Sequence, residues 1–346
     1  MKPRLSFAQR LRQGPPLLAD GAMGTMLHEQ GSPISACFDA LCLSHPERVA
    51  RVHRAFLAAG AELLESNTFS ANRYKLAGHG LASQLAAINR AGVRLAREVM
   101  RDSGPGPRWL AGAIGPLGVG LQPYGRVSPQ DARLAFREQA EALLQEGVDL
   151  VVLETFSDLS ELLEALAALR ELDRALPVVC QMTFEPDDRT RLGWLPGAVA
   201  HQLAEAEAEV IGINCSSGPA QVARLLQAMR HSAPGRPYSA QPNAGFPEAV
   251  GGRVMYPATA DYFAEFALTF RALGAVLIGG CCGTRPQHIA AMRKVLDAPA
   301  ASAPPLPAVV LASEEETLAP DRPTALSDRL ARGEFVISVE MAPPRS

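Results

Sequence analysis

Six cysteines occupy positions 37, 42, 180, 215, 281 and 282 of a 346-residue chain, and two of them stand side by side in "LIGGCCGTRP", residues 277–286. Adjacent side chains of a regular strand point to opposite faces, so Cys281 and Cys282 reach a common partner only where the strand ends or bulges. Gly279, Gly280 and Gly283 permit such a break. A third cysteine, Cys215, closes the apolar run "EVIGINC" at 209–215. The six are too few and too irregular for a disulfide framework, and they lack the C-x-x-C spacing of a zinc ribbon. Burial, metal binding and catalysis remain open to them.

As metal ligands, Cys215, Cys281 and Cys282 would form a three-thiolate set with no obvious fourth protein ligand, which describes tetrahedral zinc with one open position. Three thiolates outweigh the charge of the ion, making it a weak Lewis acid for water and a better holder of a soft ligand. A substrate thiol suits that position. Free, it is ionised to roughly a few per cent at pH 7; on a metal it is deprotonated while its sulfur stays electron-rich.

Two further stretches carry chemistry. In "ADGAMGTMLHEQG", Gly21 and Gly24 allow a tight turn, either a plain turn or one whose N–H groups hold a carboxylate. Glu154 closes the apolar strand "VVLETF" as either an ion-pair member or the partner of a cationic group such as an α-ammonium. Together these features describe an amino acid bearing a side-chain thiol. The histidines form no H-x-x-H or H-E-x-x-H pattern and read as surface or packing residues.

These groups converge only if the chain brings strand ends together. Apolar runs at 16–20, 61–67, 108–115, 148–156, 177–184, 209–215, 236–243 and 275–282 alternate with helical stretches such as "PQDARLAFREQAEALLQEG". Eight strand–helix pairs in about 300 residues are the arithmetic of a (β/α)8 TIM barrel, an α/β fold whose chemistry sits at the C-terminal ends of its strands. A doubly wound sheet is the rival, but no G-x-G-x-x-G follows the first strand. On a barrel, Asp20, Asn67, Gly115, Glu154, Thr183, Cys215, Asn243 and the Cys281–Cys282 pair share one mouth. The loop at 115–130 is expected to overlie the side from which a second reactant enters.

Apolar residues make up 47 % of the chain, and 33 basic against 36 acidic residues leave a net charge of −3. That balance offers no footprint for nucleic acid or an anionic membrane. No window approaches the length of a membrane span and the start lacks a signal-peptide core, so a cytoplasmic location is expected. The barrel is expected over 1–298. A Pro/Ala-rich linker follows over 299–326, and residues 327–346 look like the first step of a further domain that is not completed within this chain.

The motifs "DGAMGT", "ESNTFSANRYKL", "GINCSSGP", "PNAGFP" and "GGCCGT", in that order across residues 20–284, resemble those of the homocysteine S-methyltransferase family. The resemblance implies zinc on Cys215, Cys281 and Cys282. It further implies that Asp20, Gly21, Ala22 and Glu154 hold the amino-acid end of L-homocysteine, with Asn243 close by. The expected reaction is methyl transfer from S-methylmethionine, S-adenosylmethionine or a methyl-corrinoid or folate to the homocysteine thiolate, giving methionine. One alternative is a module that loads homocysteine on zinc and reacts only with a corrinoid or folate partner domain. Others are a different small-thiol acceptor and a purely structural zinc protein.

The tail "FVISVEMAPPRS" resembles the opening strand of methylenetetrahydrofolate reductases, with Glu340 in the place of an active-site acid. It departs from that pattern at Met341 and Ala342, where aromatics are usual. The whole most resembles bifunctional proteins in which the methyltransferase precedes a reductase domain. No reductase activity is expected from so short a segment, and homodimerisation is a base-rate expectation.

Overall fold

A computed structural model of the chain describes residues 6–104, 108–246, 248–250, 253–298 and 325–337. The chain divides into two compact units, residues 1–307 and 308–346. In the first, strands β1 (Leu17–Leu18), β2 (Leu63–Glu65), β3 (Trp109–Ile114), β4 (Leu150–Phe156), β5 (Val178–Met182), β6 (Val210–Cys215) and β7 (Tyr238–Pro242) precede a short hairpin of β8 (Glu248–Val250) and β9 (Arg253–Met255). Strand β10 (Ala275–Ile278) comes last. Apart from the hairpin, the strands form one parallel sheet in the order β1–β10–β7–β6–β5–β4–β3–β2.

The two ends of that order meet. Ala19 and Leu63 form a parallel bridge, Glu62 N donates to Leu18 O at 2.7 Å, and Asp20 N donates to Leu63 O at 3.1 Å. The result is the expected (β/α)8 barrel. Alternation along the strands sends Leu17, Leu63, Trp109, Leu150, Val152, Val179, Val210 and Leu277 into the interior, where Phe7 of the N-terminal helix joins them. Leu18, Leu64, Leu110, Val151, Leu153, Val178, Ile211 and Ile213 face outward into the shell of helices. Helices Pro46–Ala58, Pro129–Gln145, Pro196–Glu205, Pro219–Ser232 and Pro286–Asp297 all begin on proline, whose fixed φ suits a first turn that needs no N–H donor.

The strands are shorter than their apolar runs. Most consequential is β10, which ends at Ile278, before the cysteine pair. A Cβ on Gly279 would lie 2.8 Å from Ala19 Cβ and 3.0 Å from Asp20 O, so only glycine fits between the flanking strands. Gly280 N then donates to Asp20 O at 3.0 Å and Cys281 N to Pro242 O at 2.8 Å. The chain therefore leaves the ladder while staying pinned on both sides. The β8–β9 hairpin has no counterpart in the expected strand–helix alternation.

In the second unit a helix spans Ala325–Ala331, and residues 335–337, the start of the tail that resembles an opening strand, carry no regular secondary structure. Residues 299–324 of the expected linker, and Glu340, Met341 and Ala342 of the reductase-like motif, lie outside the described residues. Among the described residues no helix is long and apolar enough to cross a membrane.

Glu62, just before β2, secures the closure. Its carboxylate accepts from Arg10 at 3.1 Å and from Arg293 of the last barrel helix at 2.9 Å, joining both ends of the barrel chain. All three side chains are at most 21 % exposed, so solvent screens this network only partly. Glu62→Ala would leave Arg10 only its bonds to the Gln13 and Pro15 carbonyls and Arg293 only Asp297, and is expected to lower stability by about 2 kcal/mol. A denaturant midpoint equal to that of the unaltered protein would contradict this role.

Candidate functional site

Strand β6 would, by simple alternation, point Cys215 outward with Ile211 and Ile213. It does not, because Cys215 and Ser216 adopt left-handed backbone conformations, with φ of 56° and 59°. Such φ values are costly for non-glycine residues and persist where the surroundings enforce them. Here Asn243 N donates to Cys215 O at 3.2 Å, Asn243 Nδ2 to Ser216 O at 2.7 Å, and Ser216 Oγ accepts from Phe184 N at 3.1 Å. The turned sulfur comes to 3.9 Å from Cys282 Sγ, and the sulfurs of Cys215, Cys281 and Cys282 all lie within 4.8 Å of one another.

Bonds of about 2.3 Å to a tetrahedral zinc ion would place sulfurs about 3.8 Å apart. The cluster thus fits a thiophilic metal without rearrangement of the chain. Its electrostatics agree: contact with Cys215 and Cys281 holds the Cys282 thiol far below its ordinary range, while contact with Cys215 and Cys282, together with burial, pushes Cys281 up. Burial and the nearby cysteines in turn push the Tyr256 hydroxyl up.

A clasp joins the cysteine loop to the turn after β1. Thr284 Oγ1 donates to Cys281 O at 2.6 Å and accepts from Ala22 N at 3.1 Å. A Cβ on either Gly21 or Gly280 would come within 2.5 Å of that same oxygen, so glycine at both positions makes room for the clasp. Gly283 N adds a bond to Thr25 Oγ1 at 3.1 Å.

Between the clasp and the opposite wall lies a cavity of about 300 Å³. Cys215, Cys281 and Cys282 line one part of it, Asp20, Glu65 and Glu154 another, and Phe38, Phe69 and Met23 a third. Burial and the neighbouring carboxylates push Asp20 and Glu154 well above the ordinary carboxylate range. Burial likewise raises Asp39, at the aromatic side, to about 6. Such a pocket favours a ligand that brings positive charge to the carboxyl end and sulfur to the cysteine end.

Of the expected residues, Asp20, Gly21, Ala22, Glu154 and all three cysteines line this cavity. The amide of Ala22 is already engaged by Thr284, which leaves it unavailable to a ligand carboxylate. Asn243 is 6 % exposed and braces the Cys215–Ser216 turn without lining the cavity. The cavity wall also contains no residue of the 115–130 loop expected over the entry side. Sequence reasoning passed over Glu65, Asp39, Asn214, Thr284 and Tyr256. Glu65 was open to discovery, since it stands two residues after inward-facing Leu63. Asn214 links β4 to β6: its Oδ1 accepts from Thr155 N and its Nδ2 donates to Thr155 Oγ1, both at 2.7 Å. It also reaches Glu154 Oε2 at 3.3 Å and Cys281 Sγ at 3.7 Å, touching both halves of the site.

Comparison with known proteins agrees with this arrangement. The sequence profile named Homocysteine S-methyltransferase matches residues 17–296. Methionine synthases of Mycobacterium leprae and Mycobacterium tuberculosis are 32 % and 33 % identical over 82 % and 79 % of this chain. The chain spans about a quarter of their length, 24 % in each case. Among solved structures, the homocysteine methyltransferase MmuM from Escherichia coli superposes with a TM-score of 0.70 in both its oxidized and metallated forms. The alignments show 29 % and 27 % identity and cover 82 % of this chain and 97 % of MmuM. The barrel, the motifs at its strand ends and these matches together place the chain in the homocysteine S-methyltransferase family.

Proposed function

We propose that this chain transfers a methyl group to the sulfur of L-homocysteine, giving methionine, with zinc held by Cys215, Cys281 and Cys282. The observation that carries the reading is the placement of three mutually close sulfurs and the Asp20–Glu154 carboxyls on the walls of one cavity. Zinc, when bound, supplies a position for the substrate sulfur and replaces its proton, so the site needs no general base. The chain's own residues bind and orient. Asp20 and Glu154 receive the α-ammonium, the Asp20–Gly21–Ala22 turn borders the carboxylate, and Asn243 holds the Cys215 turn. Phe38, Phe69 and Met23 offer the methyl donor an apolar approach. Catalysis then comes from holding sulfur and methyl carbon in line.

S-methylmethionine, S-adenosylmethionine and a methyl-corrinoid or folate are the candidate donors. The similarity to MmuM over nearly its full length favours a barrel that turns over by itself. A second reading, a homocysteine-loading module that needs a corrinoid or folate partner domain, draws on the 24 % span of the methionine synthases. A cytoplasmic location fits thiols that must stay reduced. We read 1–298 as the methyltransferase barrel, 299–326 as a linker and 327–346, with Glu340, as the opening of a reductase-like domain. Pairing of barrels into a homodimer remains part of the proposal.

The isolated zinc-loaded chain is expected to form methionine from homocysteine and a sulfonium donor, with Cys281→Ser lowering the rate at least about 100-fold together with zinc content. Turnover only on addition of a methyl-corrinoid or methylfolate domain would favour the second reading; undiminished activity in Cys281→Ser would overturn both. Glu154→Gln is expected to raise KM for homocysteine about tenfold or more through loss of the charged partner. An unchanged KM would remove Glu154 from the ammonium site.

A further inference from the structure

Glu65 has no role in the reading above, yet it stands at the inner end of β2 on the cavity wall. A row of amides converges on it. Gln181 Nε2 donates to Gln241 Oε1 at 2.5 Å and to Ser239 Oγ at 3.0 Å, and Gln241 Nε2 donates to Glu65 Oε1 at 2.8 Å. Each donor is aimed at the next acceptor, so the row ends on a carboxylate. Glu154 lines the same cavity, and the two carboxyls are close enough to act on each other's ionisation.

Two carboxylates, both acceptors, cannot hydrogen-bond unless a proton lies between them. Gln241 donates to Glu65 at 2.8 Å and Asn214 to Glu154 at the longer 3.3 Å, so the proton belongs on Glu154. Asp20, Cys282 and Lys75 are the other charged or titratable groups acting on Glu154, and only Lys75 is cationic. Burial and the like charges of Glu65 and Asp20 favour keeping the proton.

We propose that Glu65 and Glu154 share one proton in the empty site and that the α-ammonium of the substrate displaces it. Binding of the amino-acid end then releases one proton, separately from any proton given up by the thiol. The exchange breaks one O–H···O bond and forms an N–H···O bond, the proton passes to solvent, and nothing is oxidised or reduced. The proposal rests on the amino-acid reading of the cavity. It makes Glu65 a positioning residue: it holds Glu154 in place before the ammonium arrives. Because binding expels a proton, affinity rises with pH for as long as the empty pair retains it.

L-methionine tests this because it carries the amino-acid end without a thiol. Calorimetric titration of the zinc-loaded protein at pH 7, in buffers of differing ionisation enthalpy, counts the protons exchanged. We expect about one released per methionine and about two per homocysteine. In Glu65→Gln the amide oxygen keeps the bond from Gln241 and the N–H group donates to Glu154, leaving Glu154 already ionised. Release should then fall by about one proton for either ligand, with affinity within about tenfold of the unaltered protein. A purely structural Glu65 would change affinity without changing the proton count. Binding by the unaltered protein with no proton from methionine and only one from homocysteine, or an unchanged count in Glu65→Gln, would overturn the proposal. Failure of both amino acids to bind the unaltered protein would instead overturn the amino-acid reading, and this inference with it.

Discussion

Three sulfurs, one at the end of β6 and two in the loop after β10, are held within 4.8 Å of one another, and much of the architecture at the mouth of the barrel answers to that requirement. Regular β-structure cannot supply it. Alternation would turn Cys215 toward the helices and send Cys281 and Cys282 to opposite faces. The chain meets the requirement by two different means: enforced left-handed conformations at Cys215 and Ser216, and a glycine-lined exit from β10. Each is secured by bonds from elements remote in sequence: Asn243 and Phe184 hold the Cys215 turn, and the carbonyls of Asp20 and Pro242 hold the exit from β10.

Charge organises the remainder of the cavity. Asp20, Glu65 and Glu154 face it in surroundings that burial makes unfavourable to ionised carboxyls. Such a cluster stores an unmet demand for positive charge, which an ammonium group satisfies. Asn214 ties this acidic wall to the sulfur wall, so the distance between the two is set by the barrel itself. Flexible side chains do not have to find that distance for each substrate. On the third wall, Asn67 Nδ2 donates to Phe38 O at 2.8 Å and Lys75 Nζ lies 4.6 Å from the Phe69 ring centre, fixing the aromatic side.

The barrel was legible because its signals are local. Apolar β-branched runs mark the strands, and prolines such as Pro129 and Pro286 mark helix starts. The cysteines were legible by type and by their glycine neighbours. What escaped the sequence depends on contacts distant along the chain. Thr284 bonds to Ala22 across 262 positions and Gln241 to Glu65 across 176, and no local pattern announces either partnership. Asn243 was rightly brought near the site by its place at the end of β7, but its position behind the Cys215 turn follows from a backbone conformation that composition does not reveal. The β8–β9 hairpin interrupts the strand–helix alternation and gave too short a signal to register as strand.

The central claim is that the three cysteines form a metal site with room for a substrate sulfur. Zinc K-edge X-ray absorption on the purified chain, before and after addition of L-homocysteine, addresses it directly. The account predicts a shell of three sulfurs and one lighter atom that becomes four sulfurs when homocysteine binds. A zinc shell that homocysteine leaves unchanged, or a purified chain that takes up no zinc, would contradict it and return the cysteines to a structural role.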